Sequence, residues 1–158
     1  MANRPTKRVS ESMVEMTELV LPQDTNPLGN IFGGRVMQLI DVAGGVAAMR
    51  HARRVVATVS VDRMDFKHPI KMGQIVTLKA YVVYTGRTSM EVRVDVYSEE
   101  PITGDRVHTT SAHLVYVALN QSGQPVPVPA VVPETEEEKA RFEEAKKRRE
   151  QAHSEKAH

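Results

Sequence analysis

The sequence predicts an α+β fold, with one long apolar helix packed on a curved antiparallel sheet and a charged helix near the C-terminus. The first helix is indicated by apolar residues at helical spacing, among them Val36, Ile40 and Ala47. The sheet is indicated by a change of period after this helix, where β-branched residues alternate with polar ones between short turns. Residues 134–156 have helix-forming composition but almost no apolar face, which predicts a solvated or partner-dependent helix.

The strands are predicted at residues 12–21, 55–62, 75–84, 90–97 and 107–119. Most of the connections between them are short turns, which favour antiparallel neighbours. A proline-rich link then leads to the charged helix and is expected to be extended. We therefore predict a flexible arm at 1–10, one main domain at 11–122, and a link with a charged helix at 123–158.

The composition excludes several classes of protein. The chain has 158 residues, which suits one domain with a substantial core. Its net charge of +1 gives no electrostatic case for nucleic acid, and it has no cysteine for a disulfide, a thiolate nucleophile or a cysteine zinc site. No apolar run approaches the ~20 residues of a membrane span, and no apolar segment follows the basic start. We expect a cytoplasmic protein that does not enter the membrane.

The entry into the long helix has unusual local chemistry. Asn26, Pro27, Gly29 and Asn30 favour a tight, irregular backbone just before the helix. The pair Gly33-Gly34 then stands where the helix should begin, so backbone N–H groups point out with no side chain in the way. The simpler interpretation of these glycines is a helix entry that needs flexible backbone. It is compatible with a functional role for the exposed N–H groups.

Asp41 is the residue of the helix that most needs an explanation. On the helical projection its neighbours are small or unbranched: Gly34, Met37, Gln38, Gly44, Gly45 and Ala48. Two glycines inside a helix cost about 1 kcal/mol each relative to alanine, which suggests that some group approaches this face closely. The alternative is a partly exposed aspartate on a polar helix edge. We favour a functional carboxylate, because its desolvation is costly on such an apolar helix.

Familiar catalytic motifs are absent from the sequence. It has no Gly-x-Ser-x-Gly elbow, no Walker loop, no His-Glu-x-x-His and no Gly-x-Gly-x-x-Gly. His108 and His113 lie in one predicted strand, and their spacing directs them to opposite faces, so we predict no metal site.

The exposed N-terminus of the predicted helix and the Asp41 carboxylate together suit attack on a carbonyl. Helix N-terminal N–H groups can stabilise an oxyanion, and a carboxylate can either take a proton from water or attack the carbonyl itself. A thioester fits this minimal equipment, because its leaving thiolate needs little acid assistance.

Several motifs together resemble one family. They are residues 21–26 (LPQDTN), 29–34 (GNIFGG), Met37 with Asp41, 59–62 (VSVD), Phe66 with Pro69 and Ile70, Gly73, and 88–91 (TSME). In this order they are similar to the hotdog-fold acyl-CoA thioesterases, of the cytosolic acyl-CoA hydrolase branch. The resemblance runs from about Thr17 to Leu119.

The resemblance implies a hotdog fold, subunit dimers with sites at their interface, and in many cases trimers of dimers. It implies that Asp41 is the catalytic acid and that the Gly34 backbone donates to the oxyanion. It also implies that Asn30, at a position held by Asn or Asp in the family, is a further catalytic residue. It places CoA contacts at Val59, Ser60 and Val61 and at Arg87, Thr88, Ser89 and Met90. The basic tail, with Arg148 and Arg149, is expected to reach CoA phosphates.

The residues themselves are compatible with these CoA contacts. The stretch 86–89 offers a cation, two hydroxyls and turn N–H groups, which suits a phosphate, although an ordinary hairpin turn has the same composition. We therefore predict an acyl-CoA thioesterase that needs no cofactor, since CoA is part of substrate and product, and that forms homo-oligomers. The alternatives are another hotdog enzyme such as a hydratase, which would typically need an Asp–His pair, and a non-catalytic acyl-CoA-binding module.

Overall fold

The computed structural model describes residues 3–62 and 64–156. Its strands are β1 (Thr6–Arg8), β2 (Val14–Leu19), β3 (Val55–Val61), β4 (Ile75–Thr85), β5 (Ser89–Glu99), β6 (Arg106–Leu119) and β7 (Ala130–Val132). Its α-helices are α1 (Gly33–Ala52) and α2 (Glu136–Lys156). The predicted order of one helix and then three long strands is confirmed, and each predicted strand of the main domain is present with shifted ends.

Five strands form one antiparallel sheet in the order β2-β4-β5-β6-β3. On its inner face, alternate residues of the three central strands are fully buried, including Leu78, Val94 and Leu114. Two edges remain: β2 on one side and β3 on the other. The register of β3 against β6 shifts between Thr58 and Ser60, so this edge strand bends along its length.

Helix α1 lies on the inner face of the sheet and supplies the other half of the core. Val36, Ile40, Ala43 and Ala47 have no solvent exposure, as their helical spacing predicts. The helix ends at Arg53, which adopts the left-handed conformation with φ 53°. The predicted α+β layout, with a long helix against a curved antiparallel sheet, is therefore confirmed.

Helix α2 packs on the outer face of the sheet, although its composition predicted a solvated or partner-dependent helix. Its few apolar residues suffice: Ala145 is completely buried, and the Phe142 ring lies 5.0 Å from the Tyr84 ring. The Arg141 guanidinium adds a contact 4.9 Å from the centre of the Tyr81 ring. This packing fixes the direction in which the basic end of α2 runs across the sheet.

The N-terminal segment is paired rather than free, although the sequence predicted a flexible arm. Strand β1 forms a parallel pair with β7, which joins residues 6–8 to residues 130–132. The Lys7 ammonium donates to the Arg50 carbonyl at 2.9 Å, and the His51 Nε2 lies 2.7 Å from the Pro129 carbonyl oxygen. The sequence pattern missed both strands because three residues are too few to show alternation. The first two residues of the predicted arm and the last two of the C-terminal range lie outside the described residues.

Of the helices in the described part of the chain, none has the length and apolar content needed to span a bilayer.

Candidate active site

The Asp41 carboxylate is held by two hydroxyl groups from the sheet. Thr58 Oγ1 in β3 donates to Asp41 Oδ1 at 2.9 Å, and the Tyr116 hydroxyl in β6 donates to the same oxygen at 2.9 Å. Within the described residues, Oδ2 has no hydrogen-bond partner, and Asp41 is exposed in the single chain. The carboxylate is thus fixed through one oxygen and presents the other outward.

Tyr116 is a buried residue whose hydroxyl acts as a hydrogen-bond donor to Asp41. Its side chain is 1% exposed, and its hydroxyl also lies 3.0 Å from the backbone carbonyl oxygen of Asp41. Burial, followed by the hydrogen bond and charge of Asp41, raises the pKa of the Tyr116 hydroxyl above its usual range. The hydroxyl therefore stays protonated at working pH and keeps donating to the carboxylate.

The two helix glycines beside Asp41 make room for this tyrosine. A Cβ added at Gly44 would lie 2.6 Å from the Tyr116 hydroxyl oxygen, whereas one at Gly45 would be 3.8 Å from the ring. The glycines predicted that some group approaches this face of the helix closely. In the structure that group is the Tyr116 side chain. The absence of a Cβ at Gly44 lets the hydroxyl reach over the helix to Asp41.

The N-terminus of α1 is exposed and has no side-chain cap. Gly33 and Gly34 are both exposed, and a Cβ at either would meet no atom within 4 Å. In the part of the chain that is described, their N–H groups make no hydrogen bond. The preceding loop is fixed by Asp24, whose side chain accepts from the Leu21 N–H and whose carbonyl accepts from the Phe32 N–H.

Asn26, which is not among the site residues predicted from the sequence, presents a fixed amide at this entry loop. Its Oδ1 accepts from the backbone N–H groups of Leu28 at 2.9 Å and Asn30 at 3.2 Å. These two donors define which end of the amide is the oxygen, so the NH₂ group points away from the turn as a donor. Asn30, in contrast, contributes its backbone to the turn and to a bridge with Lys71.

A second feature is a cleft of about 540 Å³ on the outer face of the sheet, beside the edge strand β3. It is lined by Val59, Ser60, Val61, Asp62, Glu91, His113, Val115, Arg148, Arg149 and Ala152. Two groups that were predicted separately, the β3 segment and the tail arginines, thus meet in one place. Thr58 contacts Asp41 and directly precedes Val59, so β3 connects the carboxylate to this cleft.

The predicted turn residues 87–90 lie in different environments in the structure. Arg87 is exposed, and the Ser89 hydroxyl accepts from Arg149 at 2.8 Å, so the turn touches the arginines of the cleft. Met90, however, is fully buried in the core and faces α1. Alternation along β5 directs its side chain to the inner face, so it is not presented at the turn.

His113 also lines the cleft, which the sequence analysis did not anticipate. Burial, with the charge of Arg148 second, lowers the pKa of this histidine. The prediction that His108 and His113 point to opposite faces of the sheet is wrong. The register of β6 against β5 shifts beside Thr109, so both histidines lie on the outer face. There His108 Nε2 lies 2.8 Å from the Ser111 hydroxyl.

The contacts missed by the sequence analysis are long-range or ambiguous. Tyr116 and Thr58 reach Asp41 from 75 and 17 residues away, and no local pattern marks them as its partners. Asn26 could be recognised from the sequence as part of a turn, because Asn26-Pro27 favours a tight backbone. The sequence does not show which amide of the loop would be oriented as a donor.

Comparison with known proteins identifies the family. The model of the thioesterase superfamily matches residues 28–104. An uncharacterised acyl-CoA thioester hydrolase of Bacillus subtilis is 46% identical over 133 residues, which are 84% of this chain and 77% of that protein. The cytosolic acyl coenzyme A thioester hydrolase of the rat is 39% identical over 148 residues, which are 92% of this chain but only 39% of that longer protein.

Solved structures agree with the sequence relatives. An apo-hexameric acyl-CoA thioesterase superimposes with a TM-score of 0.92 at 46% identity, covering 97% of this chain and 98% of the other. The acyl-CoA hydrolase of Staphylococcus aureus, in complex with butyryl coenzyme A and coenzyme A, superimposes with a TM-score of 0.89 at 37% identity, covering 97% and 93%.

The staphylococcal enzyme has also been solved as three alanine variants, of one aspartate, one asparagine and one threonine. The asparagine precedes the aspartate by 15 residues, and the threonine follows it by 17. On the sequence identity, the coverage of both chains and the shared architecture, this chain belongs to the thioesterase superfamily and has the hotdog fold of its acyl-CoA thioester hydrolases.

Proposed function

We propose that this protein hydrolyses the thioester of acyl-CoA to a free carboxylic acid and CoA. The observation that carries the proposal is Asp41, an exposed carboxylate fixed through one oxygen by Thr58 and Tyr116 while the other oxygen has no partner in the described chain. That outward oxygen can take a proton from water or attack the thioester carbon directly. Both routes need no cofactor, since CoA arrives with the substrate.

The staphylococcal variants support three site residues here. In this chain Asn26 precedes Asp41 by 15 residues and Thr58 follows it by 17, the same intervals as in the staphylococcal enzyme. We therefore propose Asn26, rather than Asn30, as the side-chain amide of the site. Its oriented NH₂ group can donate to the thioester oxygen or to the attacking water.

The distance along the helix supports a site shared between two copies. Gly34 and Asp41 are seven residues apart, which is about 10 Å along a helix. Oxyanion donors act at ~3 Å from the oxygen and a nucleophile at ~3–3.5 Å from the carbon, so the two groups of one chain are too far apart to contact one carbonyl directly. A homo-oligomer in which one copy supplies Asp41 and another supplies the Gly34 N–H resolves this. The hexameric neighbours are consistent with such an assembly.

The cleft beside β3 is proposed as the place of the CoA nucleotide. Val59, Ser60 and Val61 offer an edge-strand backbone for the pantetheine amides, and Arg148 and Arg149 offer guanidinium groups for phosphates. Since Thr58 joins this strand to Asp41, an acyl-CoA lying along β3 would bring its thioester to the carboxylate. The net charge of +1 gives no case for nucleic acid, and we propose a cytoplasmic location.

The function is tested by measuring CoA release with a thiol reagent across acyl-CoA chain lengths. We expect turnover with at least one chain length, and we expect alanine at Asn26 to reduce kcat by roughly 10²-fold, as removal of one oxyanion donor does. Alanine at Asn30 is the matched control, because it leaves the Asn30 N–H that orients Asn26. CoA binding without release would identify a non-catalytic binding module, and water addition to an enoyl thioester would identify a hydratase.

A further inference from the structure

The cleft contains a partly buried ion pair between the sheet and α2. The Arg148 guanidinium donates to Glu91 Oε2 at 2.6 Å, joining two residues that are 57 positions apart. The Glu91 side chain is only 6% exposed, whereas that of Arg148 is 36% exposed. The carboxylate is thus enclosed by protein, and the guanidinium extends from it toward the cleft.

A buried carboxylate at this place is unfavourable on simple electrostatic grounds. If the cleft receives CoA phosphates, the negative charge of Glu91 repels them and weakens binding. Burial of the carboxylate adds a desolvation cost that the ion pair only partly offsets. The arrangement becomes useful if Glu91 fixes the direction of Arg148, because a guanidinium has five N–H donors and can bind a carboxylate on one side while it donates to phosphate on the other.

The neighbouring arginine is placed in the same way. Arg149 donates to the Ser89 hydroxyl at 2.8 Å, and a Cβ at Gly86 would lie 3.6 Å from its guanidinium. The same Cβ would be 2.7 Å from the Ser89 hydroxyl oxygen, so the turn before β5 is shaped to admit this contact. Two successive arginines of α2 are therefore each held by a side chain of β5.

We infer that Glu91 is a positioning residue for CoA binding: it holds the Arg148 guanidinium at the cleft so that its remaining N–H groups meet a phosphate of CoA. The inference rests on the proposed acyl-CoA hydrolysis and deepens it, since it assigns an oriented phosphate contact to the C-terminal half of α2. A role only in attaching α2 to the sheet would lower the melting temperature of Glu91→Gln, whereas a positioning role raises the KM for acyl-CoA without that loss, so the two roles give different results.

The test compares Glu91→Gln, Arg148→Ala and the double variant. If Glu91 positions Arg148, the KM for acyl-CoA rises in Glu91→Gln by roughly tenfold, the effect of about one charge-assisted hydrogen bond, and kcat changes less. The double variant then has a KM no higher than that of Arg148→Ala alone, because without the guanidinium Glu91 can only repel the phosphates. Hydrolysis of an acyl-pantetheine, which lacks the nucleotide, should respond to none of these changes.

Two controls make the result specific. Glu137→Gln removes an exposed ion pair with Arg141 on the same helix and should leave the KM unchanged. Arg148→Lys keeps the charge but cannot span both groups, so it tests the geometry if Glu91→Gln folds poorly. The affinity for CoA itself, measured by calorimetry, reads out positioning even if no turnover is found. A KM that is unchanged or lower in Glu91→Gln, or additive effects in the double variant, would overturn the inference.

Discussion

Asp41 is an exposed acid whose orientation comes from two hydroxyls, and this makes its charge separable from its structural contacts. In Asp41→Asn the amide oxygen can still accept from Thr58 and Tyr116, while the group loses its basicity and nucleophilicity. We expect kcat to fall by at least ~10²-fold, the usual lower bound for loss of a general base. The melting temperature should be unchanged or slightly higher, since the charge adds little stability at an exposed position.

The measurement is turnover and thermal melting on one preparation of the variant. Near-full turnover would remove Asp41 from the mechanism, and a large loss of melting temperature would show that its charge holds the helix to the sheet.

Gly44 and Gly45 form a matched pair for testing the approach of Tyr116. Alanine in a helix gains up to about 1 kcal/mol over glycine. At Gly44 this gain is outweighed, because a Cβ at 2.6 Å from the Tyr116 hydroxyl forces a rearrangement that typically costs about 1–3 kcal/mol. Gly44→Ala should therefore lower both the melting temperature and kcat, while Gly45→Ala, at 3.8 Å, should keep or raise the melting temperature.

Equal melting temperatures and equal turnover in these two variants would contradict the role assigned to Tyr116.

At this scale the sequence singled out the Asp41 carboxylate but not its surroundings. Asp41 was singled out because its neighbours in the helix are local in sequence, so that an unusual carboxylate could be seen from spacing alone. Thr58 and Tyr116 were not found, because their contacts depend on how β3 and β6 lie over α1. Asn26 and Asn30 both lie in the entry loop, and only the folded turn shows which amide is oriented as a donor.

At the scale of elements, long periodic segments were predicted well and short or weakly apolar ones poorly. Helix α1 and the three long strands have enough turns of helix or alternation to be recognised. Strands β1 and β7 have three residues each, too few to show alternation, and they pair with each other. The docking of α2 was missed because it rests on buried Ala145, partly buried Phe142 and arginine contacts that no apolar periodicity reveals.

The CoA contacts proposed for the turn between β4 and β5 and for the end of α2 can be tested separately. Arg149 lines the cleft and is anchored on Ser89, whereas Arg87 is exposed on the turn. We expect Arg149→Ala to raise the KM for acyl-CoA more than Arg87→Ala does, with smaller effects on kcat in both. Added salt should raise the KM of the wild-type protein in the same direction, by screening the phosphates.

Steady-state kinetics at two ionic strengths would decide this. An unchanged KM in both variants would remove these cations from the site.

At the scale of the whole molecule, the edge strand β3 leaves an apolar surface that a single chain does not cover. Val55 is 69% exposed at the start of this edge, ahead of Val59 and Val61, which line the cleft proposed for CoA. An uncharged edge strand of this kind is a template for pairing with another chain. Together with the distance between Gly34 and Asp41, this predicts at least a dimer, with both copies needed for each site.

We expect Val55→Lys to shift the protein toward monomer and to lower turnover in parallel, because a charge on the edge opposes pairing. Ile102→Lys is the matched control: Ile102 is 89% exposed in the loop between β5 and β6, away from β3, and should affect neither. Light scattering and turnover at the same concentration provide the check. A fully active monomer of the wild-type chain would contradict the shared site.

The parallel pair of β1 and β7 has a consequence for synthesis of the chain. Thr6 pairs with Ala130, so the first strand leaves the ribosome 124 residues before its partner. At common rates of translation this is a wait of roughly 6 to 25 seconds, much longer than the formation of a local hairpin. Strand β1 is short and contains Lys7 and Arg8, whose charges discourage pairing with other nascent chains during that interval. The pair of β1 and β7 can thus form only after the sheet and α1 have been made, and α2 follows it along the chain.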